Sequence, residues 1–260
     1  MATFHQKNQS PANKPSDKDF IFGTRAVIEA IHSGKEMDTI YIQKDVSNEL
    51  TQELIEECLK LKIPYTKVPV EKLNRITRKN HQGVVALISA VSYASLDNII
   101  TECYSQGRDP LILMLDRVTD VRNFGAIARS AECAGVDAIV IPFKGSAQIN
   151  SDAVKTSAGA LHHIPVCREN NLEGTVEFLQ KNGLQVVACT EKGKDIIYDT
   201  PMNQPLAIIM GSEEDGISNE LIRKADFLSK IPLTGKISSL NVSVASALVI
   251  FEAVRQRSAN

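Results

Sequence analysis

The chain has 260 residues, 43% hydrophobic and 23% charged, with a formal net charge of −2. That balance suits a water-facing globular protein of one large or two smaller domains, and it excludes a basic coat for nucleic acid. No apolar window reaches bilayer-spanning length, and the first residues lack the apolar core of a secretory signal. Residues 1–19, rich in Pro, Asn, Ser and Lys, read as a disordered tail. Cys58, Cys103, Cys133, Cys167 and Cys189 are scattered with no C-x-x-C. They fit reduced thiols in a cytoplasm better than a disulfide framework or a zinc site.

After the tail, residues 22–34 space Val27, Ile28 and Ile31 as a helix does, and Gly34 stops it. Residues 38–45 alternate as a strand, 49–62 form an amphipathic helix ended by Pro64, and a short strand follows. KLNRITR is a helical turn and 83–91 an apolar strand. These elements make a small α/β domain over 20–92. The polar stretch 101–110 lies at the end of a connector, so 93–108 is expected as a linker.

A second α/β domain spans 109–260. Strands are expected at 111–116, 137–142, 163–167, 184–190, 206–211 and 227–232. Helices are expected at 123–135, near 151–160, and at 171–183, 217–225 and the C-terminal end. Short apolar strands alternating with helices predict a parallel sheet covered on both faces. The ligand of such a sheet sits at the carboxyl ends of its strands. A G-x-G-x-x-G fingerprint, a Lys-Ser/Thr after GSEEDG and a G-x-S-x-G are all missing, which argues against dinucleotide, phosphate-loop and serine-hydrolase chemistry. His162 and His163 have no second ligand pair at metal spacing, so no metal is expected.

Three stretches then carry a resemblance: DRVTDVRNFGAIARSAECAGVDAIVIP, IMGSEEDGISNELIRKADFLSKIPL and GKISSLNVSVASALVIFEAVRQR. In this order they resemble the three motifs of the SpoU/TrmH class of RNA ribose 2′-O-methyltransferases, of the SPOUT superfamily. Residues 20–90, with IFGTRAVIEAI and NHQGVVA, resemble the L30e-like substrate-binding domain often attached to that class. The combination is most similar to the bacterial RlmB-type enzymes that methylate a guanosine of 23S rRNA; a tRNA ribose methyltransferase and a non-catalytic ribosome-assembly protein are the alternatives. The resemblance implies S-adenosylmethionine as cofactor, a homodimer and a trefoil knot formed by the C-terminal segment. One departure stands out. The family's second motif usually reads Gly-Ser/Ala/Thr-Glu-Gly-x-Gly, and here Glu214 replaces its second glycine.

The resemblance assigns catalysis to Asn123, Arg129, Glu213, Ser239 and Asn241. It assigns the cofactor to Thr190, Met210, Gly211, Gly216, Ile231, Pro232 and Leu240, with Gly211, Ile231 and Leu240 acting through backbone atoms. Plainer readings stand beside these. Asn123, Ser239 and Asn241 are suited to capping helices, Glu213 to facing a helix dipole, and Arg129 to a surface ion pair. A guanidinium stays protonated, so Arg129 is expected to clamp phosphate or stabilise a developing alkoxide rather than to act as a base. RNA contacts are expected from Arg25, Arg75, Arg78, Lys79 and His81 in the first domain, and from Arg117 and Arg122 before the catalytic helix.

Overall fold

The computed structural model describes residues 20–258. The tail read at 1–19 lies outside the described residues. The chain divides into two compact units, one ending at Ile88 and the other beginning at Ser89.

The first unit runs β1 (Phe20–Phe22), α1 (Thr24–His32), β2 (Met37–Gln43), α2 (Glu49–Lys60), β3 (Tyr65–Val68), α3 (Val70–Ile76) and β4 (Val84–Ile88). Its sheet has the order β1-β4-β2-β3, with β4 antiparallel to both neighbours and β2 parallel to β3. Alternation along β4 sends Val84 and Ala86 into one core, with Val27 and Leu54 of the helices. It sends Val85 and Leu87 into another, with Phe20 and Leu73. Asn48 starts α2 by accepting the Thr51 amide at 2.9 Å, an ordinary asparagine cap.

The second unit contains β5 (Tyr93–Ala94), α4 (Leu96–Ser105), β6 (Leu111–Asp116), α5 (Val121–Cys133), β7 (Ala138–Pro142) and α6 (Ser151–Thr156). It continues with β8 (Val166–Glu169), α7 (Leu172–Lys181), β9 (Gln185–Cys189), β10 (Asp195–Ile196), β11 (Leu206–Gly211), α8 (Asn219–Lys224), β12 (Phe227–Lys230) and α9 (Val242–Ser258). All strand pairs are parallel, in the order β10-β12-β9-β11-β6-β7-β8-β5. Both faces are covered, so β6 and β11 are buried along their whole length. Leu111, Leu113 and Leu115 face a core shared with Phe124 and Ile127 of α5 and Val249 and Ile250 of α9. Ile112 and Met114 face a second core with Ile100 of α4 and Val176 of α7.

Several sequence expectations need correcting. The stretch 93–108 is not a linker: Tyr93 and Ala94 pair with Val166 and Cys167 at the sheet edge, and Leu96, Ile100 and Cys103 of α4 are buried. A polar C-terminal end on α4 concealed its apolar face. Helix α5 begins at Val121, two residues before the expected start, because Asp120 caps it by accepting the Asn123 amide at 2.8 Å. The helix expected through 160 stops at Thr156, and Gly159, at φ +89°, turns the chain into one 3₁₀ turn, Ala160–His162.

Two close passages shape the carboxyl end of the sheet. Gly193 lies against β12, where a Cβ would stand 2.6 Å from the Ser229 carbonyl carbon. The chain therefore leaves β9, crosses β12 and rejoins its far edge as β10. Thr190 N–H donates to the Ser229 carbonyl at 2.8 Å on one side, and Ile197 N–H to the Lys230 carbonyl at 3.0 Å on the other. At Gly211 a Cβ would stand 2.1 Å from the Gly216 carbonyl carbon, so the loop after β11 folds directly back on its strand.

Candidate active site

Strands β6 and β11 are central neighbours, with Asp116 level with Gly211. Their following loops therefore meet at one height. The Asp116 carboxylate is buried and accepts the Ser218 amide at 2.7 Å. It also accepts Arg117 Nε at 3.2 Å and Nη2 at 3.3 Å. Arg117 adopts φ +58°, a conformation a non-glycine residue holds only when its surroundings compensate. The compensation comes from its guanidinium, which also donates to the Gly216 carbonyl at 3.1 Å and to Asp215 at 3.3 Å. Hydrogen bonding to Asp116 holds that guanidinium above its usual pKa. Arg117 is thus a strut for the second-motif loop, and its part-exposed side chain also lines one of the clefts beside that loop.

The three motifs meet in one hydrogen-bonded group. Asn123 Nδ2 donates to Glu213 Oε1 at 3.1 Å. Asn241 Nδ2 donates to the same oxygen at 2.6 Å and to Asn123 Oδ1 at 3.0 Å. The Val242 amide adds a third donor to Glu213 Oε1 at 3.3 Å. Asn241 Oδ1 accepts the Ser243 amide at 2.9 Å and so caps α9. Capping and site-building are here one role, while Asn123 leaves the cap of α5 to Asp120. Amide groups with both ends bonded have fixed orientations, which is what a positioning site needs. Glu213 Oε2 takes no hydrogen bond among the described residues.

Two clefts flank the second-motif loop. One, of about 380 Å³, is lined by Thr190, Met210, Gly211, Gly216, Ile231, Ser239 and Leu240. Pro232 is not on its wall. Sequence reasoning missed Glu191, Leu233 and Ala245, which are; each lies within four residues of an assigned position, so neighbourhood was the available signal. The other cleft, of about 420 Å³, is lined by Asp120, Asn123, Glu213 and Arg117 among others.

The first cleft suits a nucleoside. Met210, Ile231, Leu233, Leu240 and Ala245 offer apolar surface for a base. The Glu191 carboxylate, 3.3 Å from Thr190 Oγ1, offers an acceptor for ribose hydroxyls. Gly211, however, is glycine because Gly216 and Ile217 fill the space of its Cβ; the close approach is by the protein's own chain. Cys189 borders the cleft as an inert thiol, pushed up to about 12 by burial and then by Glu191.

The remaining assigned residues are not joined to this group. Arg129 is exposed, makes no hydrogen bond or ion pair among the described residues, and sits six residues beyond Asn123 on α5. At 100° per residue it falls on a different face of the helix from Asn123 and on the same exposed stripe as Arg122. In the first unit Arg25, Arg75 and Arg78 are exposed, and Lys79 lies over the Phe22 ring at 5.8 Å. His81 is different. It is buried, its Nδ1 accepts the Gly83 amide at 3.1 Å, and its Nε2 lies 3.1 Å from Asn74 Oδ1. With both nitrogens so engaged it pins the turn into β4, and it leaves the expected RNA-contact set.

Comparison with known proteins accords with this geometry. The model of the SpoU rRNA methylase family matches residues 110–251. The model of the RNA 2′-O ribose methyltransferase substrate-binding domain matches residues 20–94. A Bacillus subtilis (strain 168) protein assigned to the TrmH family of tRNA/rRNA methyltransferases is 35% identical over 92% of this chain and 96% of its own. The AdoMet-bound rRNA methyltransferase from Sinorhizobium meliloti is similar over 91% of this chain and 87% of its own, with 26% identity and a TM-score of 0.57. The A. aeolicus TrmH/SpoU tRNA-modifying enzyme is similar over 63% of this chain and 85% of its own, with 26% identity and a TM-score of 0.54. The chain belongs to the SpoU/TrmH family of RNA 2′-O-methyltransferases, which take their methyl group from S-adenosylmethionine.

Proposed function

We propose that this enzyme methylates the ribose 2′-hydroxyl of a guanosine in 23S rRNA. The observation that carries the site assignment is the Asn123–Glu213–Asn241 group, which stands where the two clefts share the second-motif loop. The first cleft would hold S-adenosylmethionine, with Thr190, Met210, Gly216, Ile231 and Leu240 on its walls. The second would receive the ribose, the feature that distinguishes RNA from DNA.

The bound cofactor supplies an electrophilic methyl group on a sulfonium. The protein's part is alignment and charge. Asn123 and Asn241 fix the Glu213 carboxylate at one edge of the reacting region. A ribose hydroxyl that is to accept the methyl group must lose its proton. Glu213 Oε2, without a bonded partner among the described residues, is the available acceptor in the group. Ser239, exposed on the wall of the first cleft, stands on the donor side of the reacting region. Arg129, exposed and uncommitted among the described residues, is the clamp for an RNA phosphate. Arg122, Arg25, Arg75, Arg78 and Lys79 add phosphate contacts that position the RNA without selecting the nucleotide.

The rRNA reading rests on the first unit. The tRNA-modifying likeness covers 63% of this chain, whereas the rRNA methyltransferase likeness covers 91%. A homodimer is part of the proposal, supported by the exposed apolar residues Val244, Leu248 and Phe251 on one side of α9. A trefoil knot is part of it too, supported by the crossing of β12 at Gly193. Free, mostly buried cysteines accord with a reducing cytoplasm. Among the described residues no helix is long and apolar enough to cross a membrane, and no group could hold a metal ion.

The test is methyl transfer from labelled S-adenosylmethionine to purified 23S rRNA and to total tRNA, followed by mapping of the labelled nucleoside. Label in a 2′-O-methylguanosine of 23S rRNA is expected. An Arg129→Ala variant should bind cofactor normally and transfer at least about 100-fold more slowly. Label confined to tRNA would move the substrate assignment, and absence of cofactor binding would overturn the proposal.

A further inference from the structure

The second-motif loop presents three consecutive acids to the region between the clefts, and two of them are bound to the protein itself. Glu213 receives Asn123, Asn241 and the Val242 amide. Asp215 pairs with Arg117 at 3.3 Å. Glu214 is exposed, has no hydrogen bond or ion pair among the described residues, and borders both clefts. It also occupies the one motif position where this chain carries a side chain in place of the family's glycine.

We propose that Glu214 is a specificity-determining residue that favours the charged methyl donor over the spent cofactor. The inference rests on the cofactor reading of the first cleft. In the transfer, the methyl carbon leaves sulfur for the ribose oxygen and sulfur keeps the bonding pair. The cationic sulfonium becomes a neutral thioether, while the hydroxyl proton passes to a base. The adenosine, carboxylate and ammonium groups are the same before and after. A negative charge on the loop shared by the two clefts therefore attracts the donor more than the product. The loop backbone around it is held by Asp116 and Arg117 and by the contact of Gly216 with Gly211, so the charge is carried on a fixed frame. Its effect is release of product without loss of donor affinity, a selection that a glycine at 214 cannot make.

The experiment is calorimetric titration of the full-length protein with S-adenosylmethionine and with S-adenosylhomocysteine, at about 50 mM and about 500 mM salt. Wild type, Glu214→Gln and Glu214→Gly are compared. The expected result is a loss of donor affinity of about fivefold in both variants at low salt, shrinking at high salt. Affinity for S-adenosylhomocysteine should stay within about twofold of wild type. Equal weakening of both ligands would overturn the proposal, because Glu214 would then contact a group that donor and product share. Unchanged binding of both would overturn it as well. Failure of wild type to bind either ligand would instead remove the cofactor reading on which it stands. Glu214→Gly restores the family's residue, so the loop has a conformation that accepts it.

Discussion

Single side chains in this site do two jobs at once, and substitutions can separate them. Asn241 caps α9 through Oδ1 and reaches Glu213 and Asn123 through Nδ2. Asn241→Asp keeps the capping oxygen but sets a carboxylate against Glu213. We expect a thermal midpoint closer to wild type than that of Asn241→Ala, which loses a cap worth about 1 kcal/mol. Both variants should lose at least about 100-fold in transfer rate, measured with saturating cofactor. A rate near wild type in Asn241→Asp would show that the cap alone matters. The site was legible in the sequence to the extent that it is made of motif residues. Asn123, Glu213 and Asn241 were identified by resemblance and do come together. The strut role of Arg117 and the burial of His81 were not legible, because both depend on partners that only folding supplies: Asp116 and Gly216 for one, Asn74 and Gly83 for the other.

Elements were easier to read than their ends and their second faces. The parallel sheet follows from apolar runs such as Leu111–Asp116, which need cover on both sides. Helix α4 was missed as part of this unit because Leu96, Ile100 and Cys103 are spread thinly along a polar stretch. Helix α9 packs Val249, Ile250 and Ala253 inward yet leaves Val244, Leu248 and Phe251 outward. The proposed dimer is tested here: Leu248→Glu should sediment as a monomer where wild type sediments as a dimer, with the far-ultraviolet circular dichroism unchanged, and a monomeric wild type would remove the dimer from the proposal. The same helix carries an acid-sensitive pair. Glu252 is buried, and its hydrogen bond to Arg255 at 2.8 Å holds its carboxyl below the ordinary value of 4.5. A group whose pKa falls on folding stabilises the fold above its unfolded value and loses that contribution as the pH drops through the folded one. Glu252→Gln should thus lower the thermal midpoint at pH 7, with the difference from wild type fading as the pH falls below 4.5. A pH-independent difference would assign the effect to packing.

On the scale of the whole chain, each unit has its own cores, so one unfolding transition is not expected to describe both. Two transitions should appear in calorimetry. S-adenosylmethionine at about 100 times its Kd should stabilise only one of them, by about 2.7 kcal/mol. A shift of both would mean that the units unfold together. The Asn123–Glu213–Asn241 group also has a temporal meaning. It joins residues 90 and 118 positions apart in sequence. Contacts so distant along the chain form late and slowly, since the entropy of closure precedes any reward from them. Refolding protein should therefore regain its helix and sheet signal well before it regains the cofactor, and the delay between the two would time the last step of assembly.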